Sequence, residues 1–399
     1  MRITFLGDIM CEPPVLAGAK QPDGSYNFDY VFAHVKPLLE EADYVVANLE
    51  TPLAGEEALY SQTFLAFNAP DAYADAVKEA GIDLLATSNN HTFDRGYAGM
   101  ERTIRVLDEK KIPHHGSFLP GTERPEAHYA TIGDTTVAVI AYTYATNYGG
   151  SGGNYLAKGE YEGTVNLLRP QELGTYLPGV PTGNTWFDNA TKKYLSADIR
   201  GKIKRFFGVW SNDPRADDLL LEEQTAPYVE QFQADIRKAR EKADIVLFYP
   251  HMGGQFSHRV GKFSDYITQK AMEAGADAVI ASHSHVVQQL CWNGQTLCAY
   301  SLGNFNMTPD SGVAVVEHRT GYGLALHLHI SDQKIAQVTF SIVANLWDGK
   351  GISGCPVDVL HGRLSAGKRK KLEEDVRYVY KVVTGKELDE DVIRHEYTL

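Results

Sequence analysis

Residues 82–91 read IDLLATSNNH. Ile82 to Thr87 is an apolar run of strand length, and it stops at four polar residues, Ser88, Asn89, Asn90 and His91. On its N-terminal side, Asp71 to Ala80 has helical spacing and Gly81 ends it. On its C-terminal side, Tyr97 to Lys110 reads as a helix with Met100, Ile104 and Leu107 on one face, and Ile112 opens another short strand. A strand set between two such helices predicts an α/β sheet covered by helices.

The pattern repeats along the chain. Ile3 to Leu6 reads as a strand ending at Gly7-Asp8, and Tyr44 to Leu49 as one ending at Glu50-Thr51-Pro52. Val137 to Tyr142 is a further strand; Ile245 to Tyr249 ends at Pro250-His251, and Ala278 to Ala281 ends at Ser282-His283-Ser284-His285. Helices are predicted at 226–241 and at Tyr266 to Ala274. Val313 to Glu317, Gly323 to Ile330 and Ile335 to Val343 follow one another without helices, as in an antiparallel meander. Residues 145–225 break the pattern: rich in Gly, Asn, Thr, Tyr and Pro, they read as an insertion forming a lid, rim or small cap. The expected organisation is one catalytic domain over 1–345, interrupted by the 145–225 insertion. A C-terminal extension, 346–399, carries a charged helix from near Lys368.

With 399 residues, the chain is long enough for a large buried core. Its net charge of -13 repels a phosphate backbone, so nucleic acid is not an expected partner. No stretch has the ~20 apolar residues of a membrane span, and the N-terminus MRITFLGDIM lacks the pattern of an export signal. No integral membrane segment and a cytoplasmic location are therefore expected. Cys11, Cys291, Cys298 and Cys355 form no CxxC and read as reduced, mostly buried thiols.

The strand ends carry the chemistry. Asp8, Glu50, Asn90 with His91, His251, and His283 with His285 each follow an apolar run. In open α/β sheets the carboxyl ends of strands line the ligand crevice, so these positions converge although they span most of the chain. Each has a bland alternative: a strand-end Asp often caps a helix, and Asn89-Asn90 suits a turn. Together they predict a metal site. Oxygen donors mixed with imidazoles suit Mn, Zn or Fe in preference to Mg, and two adjacent divalent ions need a bridging carboxylate.

GD at 7–8, NLE at 48–50, SNNHTFDRG at 88–96, YPHMGG at 249–254, SHSHV at 282–286 and YSLGNF at 300–305 resemble the bacterial capsule synthesis family. These CapA-like proteins are linked to poly-gamma-glutamate, and the family looks like a branch of the calcineurin-like metallophosphoesterases. The resemblance implies a sandwich of mixed sheets flanked by helices and two divalent metal ions. By its pattern Asp8 and His285 bind the first ion, Glu50 bridges, Asn90, His251 and His283 bind the second, and His91 is the acid that protonates the leaving group. Met10 stands where the phosphoesterases have a histidine ligand, which implies a weakly held first ion. Asp94 either caps the next helix or orients His91, and Arg95 is a candidate to pair with an anionic group of the substrate. Asn304 is expected to hold backbone at the site, His258 to face solvent, and His115 to stand behind the ligands. Gly7, Gly253 and Gly303 are expected to let backbone pass close to the ions. The function implied is metal-dependent hydrolysis of an anionic small molecule's phosphoester or of poly-gamma-glutamate. The alternative is a polymer-binding component without catalysis. The basic run Lys192, Lys193, Arg200, Lys202, Lys204 and Arg205 is a candidate polyanion contact or a solvated face.

Overall fold

The computed structural model describes residues 1–147, 159–171, 190–191, 194, 203, 217–309 and 319–399. Most of the 145–225 insertion, its basic run and the strand expected at Val313 to Glu317 lie outside the described residues. The strands are β1 (Arg2–Ile9), β2 (Tyr44–Leu49), β3 (Leu84–Ala86), β4 (His114–His115), β5 (His128–Ile132), β6 (Thr135–Thr143), β7 (Ile245–Met252), β8 (Ala278–Ile280), β9 (Ser282–His283), β10 (Leu290–Trp292), β11 (Leu297–Ala299), β12 (Tyr322–Ser331), β13 (Lys334–Trp347), β14 (Ile352–Pro356) and β15 (Tyr397–Thr398).

They form two mixed sheets. The first has the order β14-β13-β12-β1-β2-β3-β4, with β15 beside β13. Its β1 to β4 half is parallel and its β12 to β14 half antiparallel. The second has the order β10-β11-β8-β7-β6-β5, with β9 beside β7, and its β6, β7, β8 and β11 are parallel. The result is an α/β sandwich of the calcineurin-like metallophosphoesterase type.

Period-two alternation explains which side chains meet between the layers. Ile3, Phe5, Val46, Leu84 and Ala86 of the first sheet share one core with Val139, Ala141, Leu247, Tyr249 and Ile280 of the second. Phe5 meets Tyr249 edge-on at 5.3 Å, and the Tyr249 hydroxyl donates to the Leu6 carbonyl at 3.1 Å. The opposite parity faces the helices: Val45, Ala47 and Leu85 pack with Tyr73, Val77 and Leu107, while Ala138, Ile140 and Phe248 pack with Phe232, Ile236 and Ile267. The helix Ala366–Thr384 adds Leu372, Val376, Val379 and Val383 to the interlayer core, and β14 and β15 extend the first sheet. The segment after 345 thus shares the core of the rest. Among the described residues no helix is long and apolar enough to cross a membrane.

Several boundaries differ from expectation. The third strand shrinks to Leu84–Ala86, and the strand after Ile112 to His114–His115. The strands β5, β10 and β11 have no counterpart in the sequence reading, because short edge hairpins carry too few residues for a periodic signal. In β1 the register shifts between Phe5 and Asp8, a bulge that re-aims the strand's end. There Gly7 lies against the backbone of Gly303, and a Cβ on it would stand 2.2 Å from the Gly303 carbonyl oxygen. We therefore expect Gly7→Ala to lower unfolding free energy by more than ~3 kcal/mol, or to prevent folding, because backbone cannot yield as a side-chain tip can. Urea melts of the two proteins decide it, and equal midpoints would refute the contact.

Candidate metal centre

The parity that fills the interlayer core carries Asn48 and Glu50 on from Val46 and His251 on from Tyr249, while Asn90 stands in the turn that follows β3. All four side chains enter the sandwich at the carboxyl ends of parallel strands. His283 falls on the opposite parity, with Val279 and Ala281, yet its ring also turns inward. It takes φ 108°, and His285 takes φ 54°, left-handed backbone that breaks the alternation.

The groups converge on Glu50. Its carboxylate is fully buried, and neither oxygen has a hydrogen-bond partner. Oε1 lies 3.4 Å from His251 Nε2, 3.8 Å from His285 Nε2 and 3.8 Å from His91 Nε2. His251 Nε2 is in turn 2.7 Å from Asn90 Oδ1 and 3.1 Å from His283 Nδ1. Asp8 is equally buried, but its oxygens are met: Oδ1 accepts from the Asn48 amide at 2.8 Å, and Oδ2 from the His283 backbone N–H at 3.2 Å. His285 Nδ1 lies 3.7 Å from Asp8 Oδ2. Two triads result, Asp8-Glu50-His285 and Glu50-His251-His283, each able to hold a metal ion and sharing Glu50.

The electrostatics fit a cation. Burial, reinforced by Asp8, pushes the Glu50 carboxyl up to about 8. Burial holds His251 down at about 4, and holds His283 well below its ordinary value with help from the neighbouring imidazoles. These two rings are therefore neutral, the form that offers a lone pair to a metal. Two ligands on one ion with bonds of ~2.1 Å stand roughly 3.0–3.4 Å apart. The separations from His251 Nε2 to His283 Nδ1 and Glu50 Oε1 are of that size, whereas that to Asn90 Oδ1 is hydrogen-bond length, and Glu50's unmet oxygens are what a bound ion would satisfy.

His91 faces the cluster without belonging to either triad. Its Nδ1 donates to Asp94 Oδ2 at 2.6 Å, and its ring lies 4.3 Å from that of Phe67. Burial works to lower its pKa, but Asp94 and Glu50 carry it above the ordinary histidine value. Asp94 does not cap the following helix, whose N-cap is Arg95 and has no side-chain cap bond. Asp94 Oδ2 instead accepts also from the Phe67 N–H, so the carboxylate is fixed behind the imidazole. Arg95 is not gathered into the cluster; its guanidinium donates to the Leu59 and Asp94 carbonyls.

Met10 lies beside the cluster, and the expectations for His258 and His115 need correction. Met10 buries its side chain among Phe67, Phe256 and Met307, while Asn306 and Tyr73 bind its backbone. Phe67 lies against His91, and Phe256 stands 5.7 Å from the His285 ring, so Met10 belongs to an apolar wall beside the cluster. His258 does not face solvent: Nδ1 donates to the Val287 carbonyl at 2.7 Å, and its ring meets Tyr378. His115 does not stand behind the ligands; its Nδ1 accepts from the Ala141 N–H and its Nε2 donates to the Pro125 carbonyl. Gly7 makes room for the Gly303 backbone, Gly303 for the backbone of Tyr322 and Val287, and Gly253 lies against Ser284. Asn304 does hold backbone, donating to the His285 and Thr320 carbonyls, and its Oδ1 also lies 2.8 Å from His285 Nδ1.

Asn48 and Ser282 went unread. The Asn48 amide donates to Asp8, lies 3.2 Å from His251 Nδ1 and accepts from the Asn89 amide; Ser282 Oγ lies 3.1 Å from the same nitrogen. The signal for Asn48 was its place two residues before Glu50, on the same strand face.

A family model described as bacterial capsule synthesis protein PGA_cap matches residues 2–308. The chain is 25% identical over 312 residues to the capsule biosynthesis protein CapA of Bacillus anthracis, covering 76% of this chain and 59% of that protein. It is 22% identical over 306 residues to the PGA biosynthesis protein CapA of Bacillus subtilis (strain 168), covering 76% and 62%. The chain thus spans about three fifths of the length of these curated relatives. A solved structure of a hypothetical protein from Thermus thermophilus aligns over 86% of this chain and 98% of its own, at 14% identity and a TM-score of 0.43.

Glu50 supplies a pH test. Its folded pKa is raised from 4.5 to about 8, so the stability from its retained proton is complete below pH 4.5 and is lost as pH rises through 8. In chelator, metal-free wild type should therefore lose stability relative to Glu50→Gln between pH 5 and 8. Thermal melts of both proteins across that range check this; a difference that does not change with pH refutes it.

Proposed function

Because this chain belongs to the bacterial capsule synthesis protein family PGA_cap, we propose that the cluster around Glu50 is the two-metal centre of a hydrolase. One observation carries the proposal: a wholly buried carboxylate that, among the described residues, no N–H or neutral hydroxyl meets, shared by two ligand triads. Asp8 and His285 hold one ion with Glu50, and Asn90, His251 and His283 hold the other. The imidazoles favour Mn, Zn or Fe over Mg. When bound, such ions supply Lewis acidity and lower the pKa of water.

The chain's own residues do the rest. Asn48 fixes the Asp8 carboxylate, and Asn304 fixes the His285 ring. His91, held in its protonated form by Asp94 at Nδ1, turns its Nε2–H toward the cluster and gives the Nε2 proton to the leaving group. The apolar wall of Met10, Phe67, Phe256 and Met307 excludes water on one side and strengthens these charges.

The substrate is a phosphoester or a gamma-glutamyl amide. The superfamily's site supports the first, and the name of the Bacillus subtilis relative supports the second. Assays with aryl phosphates and with poly-gamma-glutamate, run side by side, separate them. No turnover with tight polymer binding would favour a binding protein instead.

His91 gives the sharpest test. A positioned imidazole contributes roughly 10²–10⁴-fold when it protonates a leaving group. His91→Ala should keep its metal, lose rate by about that factor on a poor leaving group, and lose much less on nitrophenolate. Metal analysis and steady-state kinetics on two substrates check this. Equal losses on both, or loss of metal, would defeat the proton-donor role.

A further inference from the structure

The cysteines are not all buried: Cys11 and Cys355 are, whereas Cys291 is exposed and Cys298 partly so. The β10–β11 hairpin at the edge of the second sheet sets Cys291 directly opposite Cys298. Opposed residues project from the same face. Leu290, Leu297 and Ala299 take the other face and enter the interlayer core, so both thiols stand on the outer face, at the end of the helix Lys262–Glu273. There the Cys298 thiol donates to Met272 Sδ at 3.3 Å. Met272, Cys291 and Cys298 line a cavity of about 320 Å³ with Leu290, Trp292 and Lys386.

The register decides what the pair can do. The Tyr300 N–H donates to the Gln289 carbonyl, and the Asn293 N–H to the Thr296 carbonyl. Hydrogen-bonded pairs alternate with non-bonded ones, so Cys291 and Cys298 form a hydrogen-bonded pair, with Cα atoms roughly 5.5 Å apart. Their Cβ atoms then stand at the wide end of the ~4.5–5.5 Å range for opposed residues. A disulfide needs ~3.5–4.5 Å. A cation between two thiolates bridges a wider gap, and thiolate with thioether ligands selects soft ions.

We propose that Cys291, Cys298 and Met272 form a soft-metal site for an ion such as Cu(I), separate from the centre at Glu50. Burial raises both thiols above their ordinary pKa, so both carry protons at neutral pH. One Cu(I) displaces two protons to solvent and leaves a complex of charge -1, and Lys386 lines the same cavity. Bound metal ties the edge strand β10 through β11 to the helix beneath.

The test titrates Cu(I) anaerobically into the full chain against a coloured Cu(I) chelator. Wild type should hold one ion per chain at this site and release two protons per ion. Cys291→Ser and Cys298→Ser should each weaken binding by more than the roughly 10–100-fold that loss of an outer partner costs, and Met272→Leu by about tenfold. Thermal melts show whether each variant is folded. Unchanged Cu(I) binding in the double Cys291→Ser/Cys298→Ser variant overturns the site, as does absence of binding in wild type. Loss of two titratable thiols on exposure to oxidised glutathione with no added glutathione mass also overturns it, since the pair would then close as a disulfide.

Discussion

Two carboxylates, Asp8 and Glu50, lie wholly out of solvent at one point between the sheets. Burying a carboxylate is costly unless hydrogen bonds or opposite charge meet it. Asp8 is met by the Asn48 amide and a backbone N–H; Glu50 is met by neither. Glu50 must therefore hold a proton or face a cation, and these alternatives exclude each other. Metal affinity and Glu50 protonation are thus one linked equilibrium. The neutral His251 and His283 rings belong to the same arrangement, because protonated rings would repel the ion that Glu50 requires.

Bringing these groups together strains the backbone. Left-handed φ at a non-glycine residue costs about 1–3 kcal/mol and persists only where the surroundings over-determine it. His283 is held by its N–H on Asp8, and His285 by the Asn304 amide on its carbonyl. Asn304 is itself clamped beside β1, since Asp8 N–H donates to Gly303 and Phe305 N–H donates to Asp8. The close approach of Gly7 to Gly303 is what permits that clamp. The bulge in β1, the glycine contact and the turned histidines are one structural solution to presenting two sheets' residues to a common point.

These relations divide what was legible in the sequence from what was not. Strand parity is a local rule, so the convergence of Glu50 and His251 follows from apolar runs and where they stop, while Asn90 is placed by the turn after β3. The alternation of strands and helices likewise identifies an α/β sheet covered by helices, whereas the pairing of two sheets in a sandwich follows only from the family resemblance. Parity fails for His283, whose inward turn depends on a backbone angle no side-chain pattern encodes. It is silent on Asn48, because an asparagine's partners lie in other strands. Met10 adds something the resemblance leaves out: its thioether packs with Phe67, Phe256 and Met307 in an apolar group beside His285. His258 and His115 were misplaced because hydrogen bonds to backbone, set by distant segments, decide where an imidazole sits.

The proposed chemistry turns on the same buried charge. Without metal, His91 faces the Glu50 carboxyl group on one side and Asp94 on the other, and its pKa is raised. Divalent ions at the cluster would reverse the sign of the field on the Nε2 side and work to expel the proton. Asp94 stands 2.6 Å from the opposite nitrogen, anchored by the Phe67 N–H, where that field is weakest. It therefore keeps its attraction whichever state the centre is in. A proton donor beside two cations needs a counter-charge they cannot reach, which is a physical reason for Asp94 to bind the imidazole rather than cap the helix that follows.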